Sequence, residues 1–522
     1  MSILSLEFLV LMTVLLAVHY CLPVRWRWMG LLAASMVFYA AAGWGGLAYL
    51  SGVTLITWLA GLYMGRSREK EKAAAADGDK AQAYFAKLRR TRYLTLTVLA
   101  VIGGMVFIKY GSFLYGGANW LHQQLCECRD DLRAWNLMAP LGLSYFTFQS
   151  VGYVVDCARG KVQPERNLLK YLLFVSFFPQ ITQGPITTYK QLMPQLLAPA
   201  HFEPSAFVSG FQLALWGYFK KMVLADRLAP VTTAIATGTD QPGWLILLGV
   251  TLYAIRLYAD FSGGMDVIRG AAKMLGVDVI ENFRRPFFST SVAEYWRRWH
   301  ISLGAWFRSY LFYPLTTSRF GLALSKLGQR FLGKKAGRAL PGVVATFVIF
   351  FLIGIWHVAN WNAAIFGAYF GLLLSAALLL EPLFKKARAF LHINVKDWYW
   401  KGFGLVRTWV LILLAQYFAF TPGPKQGFTL LAGTFGNWSF AGAGELLTAM
   451  LPVLEWQIAV AALVIVFFID FLCECNVDVN GKIAKGFFLV RWAVLIALIL
   501  AVLIFGCYGS DFDAAAFLYT NF

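Results

Sequence analysis

Apolar residues fall in long blocks along the whole chain, separated by short polar stretches. The blocks run at about Ile3–Leu22, Trp28–Ala42, Leu47–Met64, Tyr93–Ile108, Met138–Val155, Tyr171–Phe178, Phe207–Leu224, Leu245–Tyr258, Trp306–Leu315, Val343–Trp356, Ala363–Leu380, Val406–Phe420, Ile458–Leu472 and Val490–Phe505. Continuous apolar runs of this kind predict membrane-crossing helices rather than half-buried surface helices. Two blocks are too short to cross. Tyr171–Phe178 ends at Pro179 and reads as a re-entrant or interfacial segment, and Trp306–Leu315 carries Arg308. The pattern predicts an all-α polytopic membrane protein with about eleven crossings plus partial or interfacial segments.

The block Val343–Trp356 has no charge and leads directly into His357, with Asn360, Trp361 and Asn362 close behind. A helix starting near Pro341 has risen on the order of 24 Å at His357, most of the roughly 30 Å hydrocarbon core. An ionisable group at that depth is costly and tends to be functional. Packing against a neighbouring helix is the alternative.

Charge sets the orientation. The stretch Arg66–Arg92 holds nine basic and four acidic residues, and Arg319–Arg338 holds six basic and no acidic ones. Positively charged short loops stay cytoplasmic. Three crossings precede the first of these loops, which puts the N-terminus outside and carries His357 towards the outer leaflet. The first apolar run lacks a basic flank and a small-residue cleavage site, so it reads as a crossing and not a cleavable signal.

Composition agrees. Of the 522 residues 59% are hydrophobic and only 14% charged, against about 25% charged in soluble domains. The net charge of +19 is accounted for by basic loops, which hold few stacking aromatics, so nucleic acid is set aside. Seven cysteines, an odd number, argue against a complete disulfide framework. The triplets Cys126-Glu127-Cys128 and Cys473-Glu474-Cys475 lack C-x-x-C spacing, and no metal site is expected. No internal repeat or separate soluble domain is visible. The chain reads as one membrane domain, 1–522, with N-terminal helices 1–136, a core 137–380 and C-terminal helices 381–522.

Ionisable residues within or beside apolar blocks concentrate between Asp260 and His357. Asp260 and Asp266, around Ser262, Gly263 and Gly264, suggest a buried helix break, with one aspartate paired to Arg256. Glu294, Arg297 and Arg298 stand at helical spacing for ion pairs. That segment reads as an interfacial helix with Trp296 and Trp299 in the headgroup layer. His300 lies on a mixed face beside them.

Several of these stretches carry a resemblance. WRRWHISL with FRSYLFYPL, and IGIWHVANW, resemble signatures of the membrane-bound O-acyltransferase family. So do PLGLSYFTFQSVGYVVDCARG, FFPQITQGPI, GYFKKMVLADRLA and YADFSGGMD, in the same order from about Pro140 onwards. The C-terminal GSDFDAAAFLYTNF is similar too, but differs from the usual finish at Thr520 and Asn521. The nearest subgroup resembles bacterial alginate O-acetyltransferase membrane subunits and teichoic-acid D-alanyl transfer proteins.

The resemblance implies a ring of tilted helices around a thin centre, in a bacterial plasma membrane. It implies catalysis at His357, with His300 supporting. The acyl group, most simply acetyl, would come from a cytoplasmic thioester, acetyl-CoA or the phosphopantetheine of a carrier protein, with no permanently bound cofactor. It would pass to an extracytoplasmic polysaccharide, with an SGNH or esterase-like partner outside. Chemistry is compatible, because neutral imidazole near its ordinary pKa of about 6.5 suits a general base. Asn360 or Asn362 orients that ring or binds the oxyanion, or they cap the turn after it. Trp356 and Trp361 wall the tunnel or simply pack. Gln149 and Gln180 line a pantetheine arm or bond between helices. Asp260 contacts substrate or holds the helix break. D-alanyl transfer to teichoic acid remains an alternative, as does a transporter or proton pathway through the buried aspartates and histidines.

Overall fold

The computed structural model describes residues 3–126, 139–181, 183–198 and 201–508. The chain is 81% helical without strands among the described residues, and it is an integral membrane protein. Among the described residues, eight helices are long and apolar enough to cross a bilayer: α1 (Trp44–Ala76), α2 (Lys80–Gly111), α3 (Gly243–Met274), α4 (Gly333–His357), α5 (Trp361–Phe390), α6 (Trp398–Phe420), α7 (Val453–Glu474) and α8 (Phe488–Phe505). The difference from eleven lies in shorter helices. Leu6–Cys21 and Arg27–Ala42 have 16 residues each and Leu143–Arg159 has 17, about 24–26 Å of rise. The altered C-terminal motif and the Glu127-Cys128 half of the first cysteine triplet lie outside the described residues.

The chain forms two compact units. The first comprises Met1–Phe211 with Ile268–Ile280, the second Gln212–Val267 with Glu281–Phe522. In the first, α1 packs on α2 and on Leu143–Arg159. Its interior is aromatic, with Tyr153 against Tyr171 at 4.4 Å and against Tyr189 at 5.1 Å. The Tyr171 hydroxyl donates to Thr57 Oγ1 at 2.9 Å, so the phenol enters the interior without losing its hydrogen bond. The short block that opens at Tyr171 falls largely within a nine-residue helix, Leu168–Ser176.

In the second unit, α4 lies against α5 and α5 against α6. The helix leading to His357 does not start at Pro341. It runs from Gly333, where φ is +80° and breaks it from the preceding basic segment Arg319–Leu332. Only glycine adopts that backbone without penalty. Lys334, Lys335 and Arg338 fill the first turns, so the apolar part still begins near Pro341. The α4–α5 seam is backbone against backbone. A Cβ on Gly354 would stand 2.3 Å from the Ala363 carbonyl oxygen and 2.8 Å from Gly367 Cα. Gly354→Val is therefore expected to force the helices apart, at about 1–3 kcal/mol, and to displace His357 one turn on. A lower melting temperature in detergent, with lost activity, is the expected result; an unchanged melting curve would contradict it.

The predicted break in α3 is absent. The helix is continuous over 32 residues, because its buried polar side chains find partners on the neighbouring Phe219–Ala225 turn and need no opened backbone.

Candidate active site

His357 is the last residue of α4, and its ring sits 4.6 Å from that of Trp356. It borders a cavity of about 410 Å³ inside the second unit. The ends of α4, α5 and α6, the middle of α3 and the short helices Ala229–Thr237 and Val292–Arg298 contribute to its wall. Aromatic faces (Tyr295, Trp296, Trp299, Phe366, Phe370) alternate with amides and hydroxyls (Asn360, Asn362, Gln416, Thr232, Thr421) and the Arg256 guanidinium.

The two asparagines have different duties. Asn360 caps α5, its Oδ1 accepting the Ala363 N–H at 2.8 Å, which fixes the turn that follows His357. Asn362 Nδ2 donates to the Thr421 carbonyl at 2.6 Å and ties α5 to the end of α6. That leaves Asn362 Oδ1 as a buried acceptor with no partner among the described residues, along with Gln416 Oε1 and the Trp296 Nε1 donor. All three belong to residues of the cavity wall. An unpaired buried polar group costs about 1–3 kcal/mol, so this wall gains by taking up a ligand with hydroxyls and oxygens to offer.

The tryptophans that wall the cavity are Trp296 and Trp299, not the pair flanking His357. Trp356 is buried outside the lining, and Trp361 is 69% exposed. Of the two arginines of the Val292–Arg298 helix, Arg297 is exposed and Arg298 is engaged within the protein. Arg298 binds both oxygens of Glu474 at 2.9 Å and Glu294 at 2.7 Å, and Arg285 reaches Glu474 at 3.0 Å. Burial raises the Glu294 pKa, but the Thr290 N–H and hydroxyl and the Arg298 charge outweigh it and hold it below the ordinary value. These bonds pin the helix to the end of α7 and turn its aromatic face inward. Glu474, inside the second cysteine triplet, therefore has an ion-pair role.

Asp260 does not border the cavity. Its Oδ1 accepts from Lys221 Nζ at 2.5 Å, and the same ammonium binds Asp226 at 2.7 Å. Lys220 binds Asp266 at 2.7 Å and Ser262 at 2.9 Å. So lysines, not Arg256, take the direct ion pairs of both aspartates. Arg256 instead donates to Thr232 Oγ1 at 2.8 Å at the cavity wall. The two lysines point into the protein from a widened turn, marked by Asp226 N–H donating to the Lys221 carbonyl five residues back.

His300 also stands apart from the cavity lining. It is 3% exposed, edge-on to Phe261 at 5.0 Å. Burial, slightly offset by its own carbonyl, pushes its pKa down to about 3, so the ring is neutral. Gln149 and Gln180 belong to the first unit and are not cavity residues. Gln149 is buried, and Gln180 Nε2 donates to Thr187 Oγ1 at 2.6 Å and the Pro185 carbonyl at 3.3 Å, closing its own loop. Gln416 and Thr232 were not singled out from sequence. A lone glutamine in the apolar run of α6 was a usable signal for the first; Thr232 carried none. Among the described residues no cluster of metal-ligating side chains occurs.

A crossing helix thus ends in an imidazole at a cavity walled by polar and aromatic side chains. Comparison with known proteins identifies the class. Residues 142–333 match the model of MBOAT, the membrane-bound O-acyltransferase family. The chain is 32% identical to a probable alginate O-acetylase of Azotobacter vinelandii over 72% of its own length and 68% of that protein's. It is 28% identical to a probable alginate O-acetylase of Pseudomonas syringae pv. tomato over 91% of this chain and 82% of the relative. A teichoic acid D-alanyltransferase of Bacillus subtilis is 28% identical over 48% of this chain and 62% of its own. The chain belongs to the membrane-bound O-acyltransferase family, and it is an acyltransferase.

Proposed function

We propose that the enzyme moves an acetyl group from a cytoplasmic thioester to hydroxyls of an extracytoplasmic polysaccharide, with His357 as general base. The observation that carries this is the position of His357 on a cavity whose wall combines aromatic faces with unpaired amide oxygens. Aromatic faces suit the apolar C–H face of a sugar ring, and the carbonyls of Asn362 and Gln416 suit its hydroxyls. In the reaction the imidazole takes the acceptor proton as the hydroxyl oxygen attacks the thioester carbonyl. The tetrahedral adduct then expels the thiolate, which takes up the proton, and the ester and free thiol are released. The names of the alginate relatives favour acetyl over D-alanyl.

On this reading the chain sits in a bacterial plasma membrane with its N-terminus outside. The basic loops then face the donor, acetyl-CoA or an acylated carrier, and an esterase-like partner outside assists delivery. The test is a proteoliposome with radiolabelled acetyl-CoA on the side of the basic loops and alginate oligosaccharide on the other. Label in base-labile ester on the oligosaccharide is expected. Label transferred only from D-alanyl carrier protein would move the assignment to D-alanyl transfer, and no transfer from either donor would overturn it.

A further inference from the structure

Asn282 attracts no notice in the sequence, and the structure sets it against His300 at the base of a tight strap of chain. The Ile301 N–H donates to the Asn282 carbonyl at 3.0 Å, and the Arg284 N–H to the Arg298 carbonyl at 2.9 Å. The Asn282 side chain closes the strap, its Oδ1 accepting the Ser302 N–H at 2.9 Å. That bond decides which way the amide faces, since only its oxygen can accept a backbone proton. The amide nitrogen then lies 3.2 Å from His300 Nδ1 and 3.5 Å from the Met265 sulfur. Both of these must accept, because Nδ2 carries only hydrogens.

We infer that Asn282 is a positioning residue that holds His300 as the neutral, Nε2-protonated tautomer, so that His300 supports the site without taking a proton at Nδ1. A proton on Nδ1 would put two donors face to face where Asn282 and His300 are 1% and 3% exposed. His300 also holds a left-handed backbone, φ +46°, which a non-glycine residue keeps when the surrounding structure enforces it. What the strap holds is the residue before it. Trp299 stacks on Tyr295 at 5.5 Å and meets the Phe283 edge at 4.9 Å, and it presents part of the cavity wall. This inference rests on the proposed function only for its consequence, not for the tautomer.

The tautomer is read directly by long-range proton–nitrogen spectra of the full-length protein, labelled with nitrogen-15 histidine, in lipid nanodiscs near neutral pH. His300 signals are assigned by their loss in a folded His300→Gln variant. An unprotonated Nδ1 and a protonated Nε2 are expected in the wild-type. A protonated Nδ1 there would overturn the inference, with no variant needed. Asn282→Asp keeps the acceptor for Ser302 and turns a second acceptor towards Nδ1. It should move the proton to Nδ1 and lower turnover about tenfold; an unchanged tautomer would refute the positioning role. His300→Gln should keep at least roughly a tenth of the activity, because its amide oxygen can still accept from Asn282. Complete loss in a folded protein would make His300 a proton carrier after all. If wild-type protein transfers no acyl group to any acceptor, the functional reading fails while the spectrum still decides the tautomer.

Discussion

His357→Ala is expected to abolish acylation of cell-surface glycan, at unchanged protein level in the membrane. A general base contributes on the order of 10²–10⁴-fold, so the residual rate should fall below detection in a whole-cell ester assay. His357→Gln tests the chemistry more narrowly, since it keeps a hydrogen-bonding side chain of similar reach but cannot carry the proton. It should be as inactive as the alanine variant. The fold should survive both, because His357 ends a helix and is only partly buried. Well-expressed His357→Ala protein that still acylates its acceptor would remove this residue from the reaction.

The largest effect on stability is expected at Lys221. Its ammonium is the shared partner of Asp226 and Asp260, and the three side chains are 2%, 5% and 2% exposed. Lys221→Met keeps most of the side-chain volume and removes the ammonium, with its charge and its hydrogen bonds to both aspartates. Two buried carboxylates are then left facing each other, and breaking such a pair from one side costs about 3–5 kcal/mol. The protein should lose most of its yield, or melt many degrees lower in detergent. Adding Asp260→Asn should recover part of the loss, because one of the uncompensated charges is gone. Equal melting temperatures for wild-type and Lys221→Met would mean that the cluster is not a structural ion pair.

How far the sequence carried the site can be judged residue by residue. The apolar blocks and the absence of charge before His357 were enough to predict an all-helical membrane protein, and the ordered motifs to point at its family. Asn360 as a cap was one of the readings open to the sequence, and its Oδ1 does accept the Ala363 N–H. Trp296 and Trp299 were placed in the headgroup layer, because a short basic helix with tryptophans looks interfacial when its partner is unseen. That partner, Glu474, lies 176 residues from Arg298. The Lys221–Asp260 pair spans 39 residues and depends on a widened turn that no residue pattern announces.

By itself, then, the chain determined its solvent and its family. Long apolar runs can be satisfied only in lipid or in a buried core, and an imidazole at the end of one is conspicuous wherever it folds. The tertiary structure alone decided which polar groups meet. Ion pairs and hydrogen bonds act over a few ångströms, while the residues that make them are separated by tens to hundreds of positions. Whether Asp260 faces a substrate or a lysine, whether a tryptophan faces lipid or a cavity, and which nitrogen of His300 holds the proton are set by packing around them.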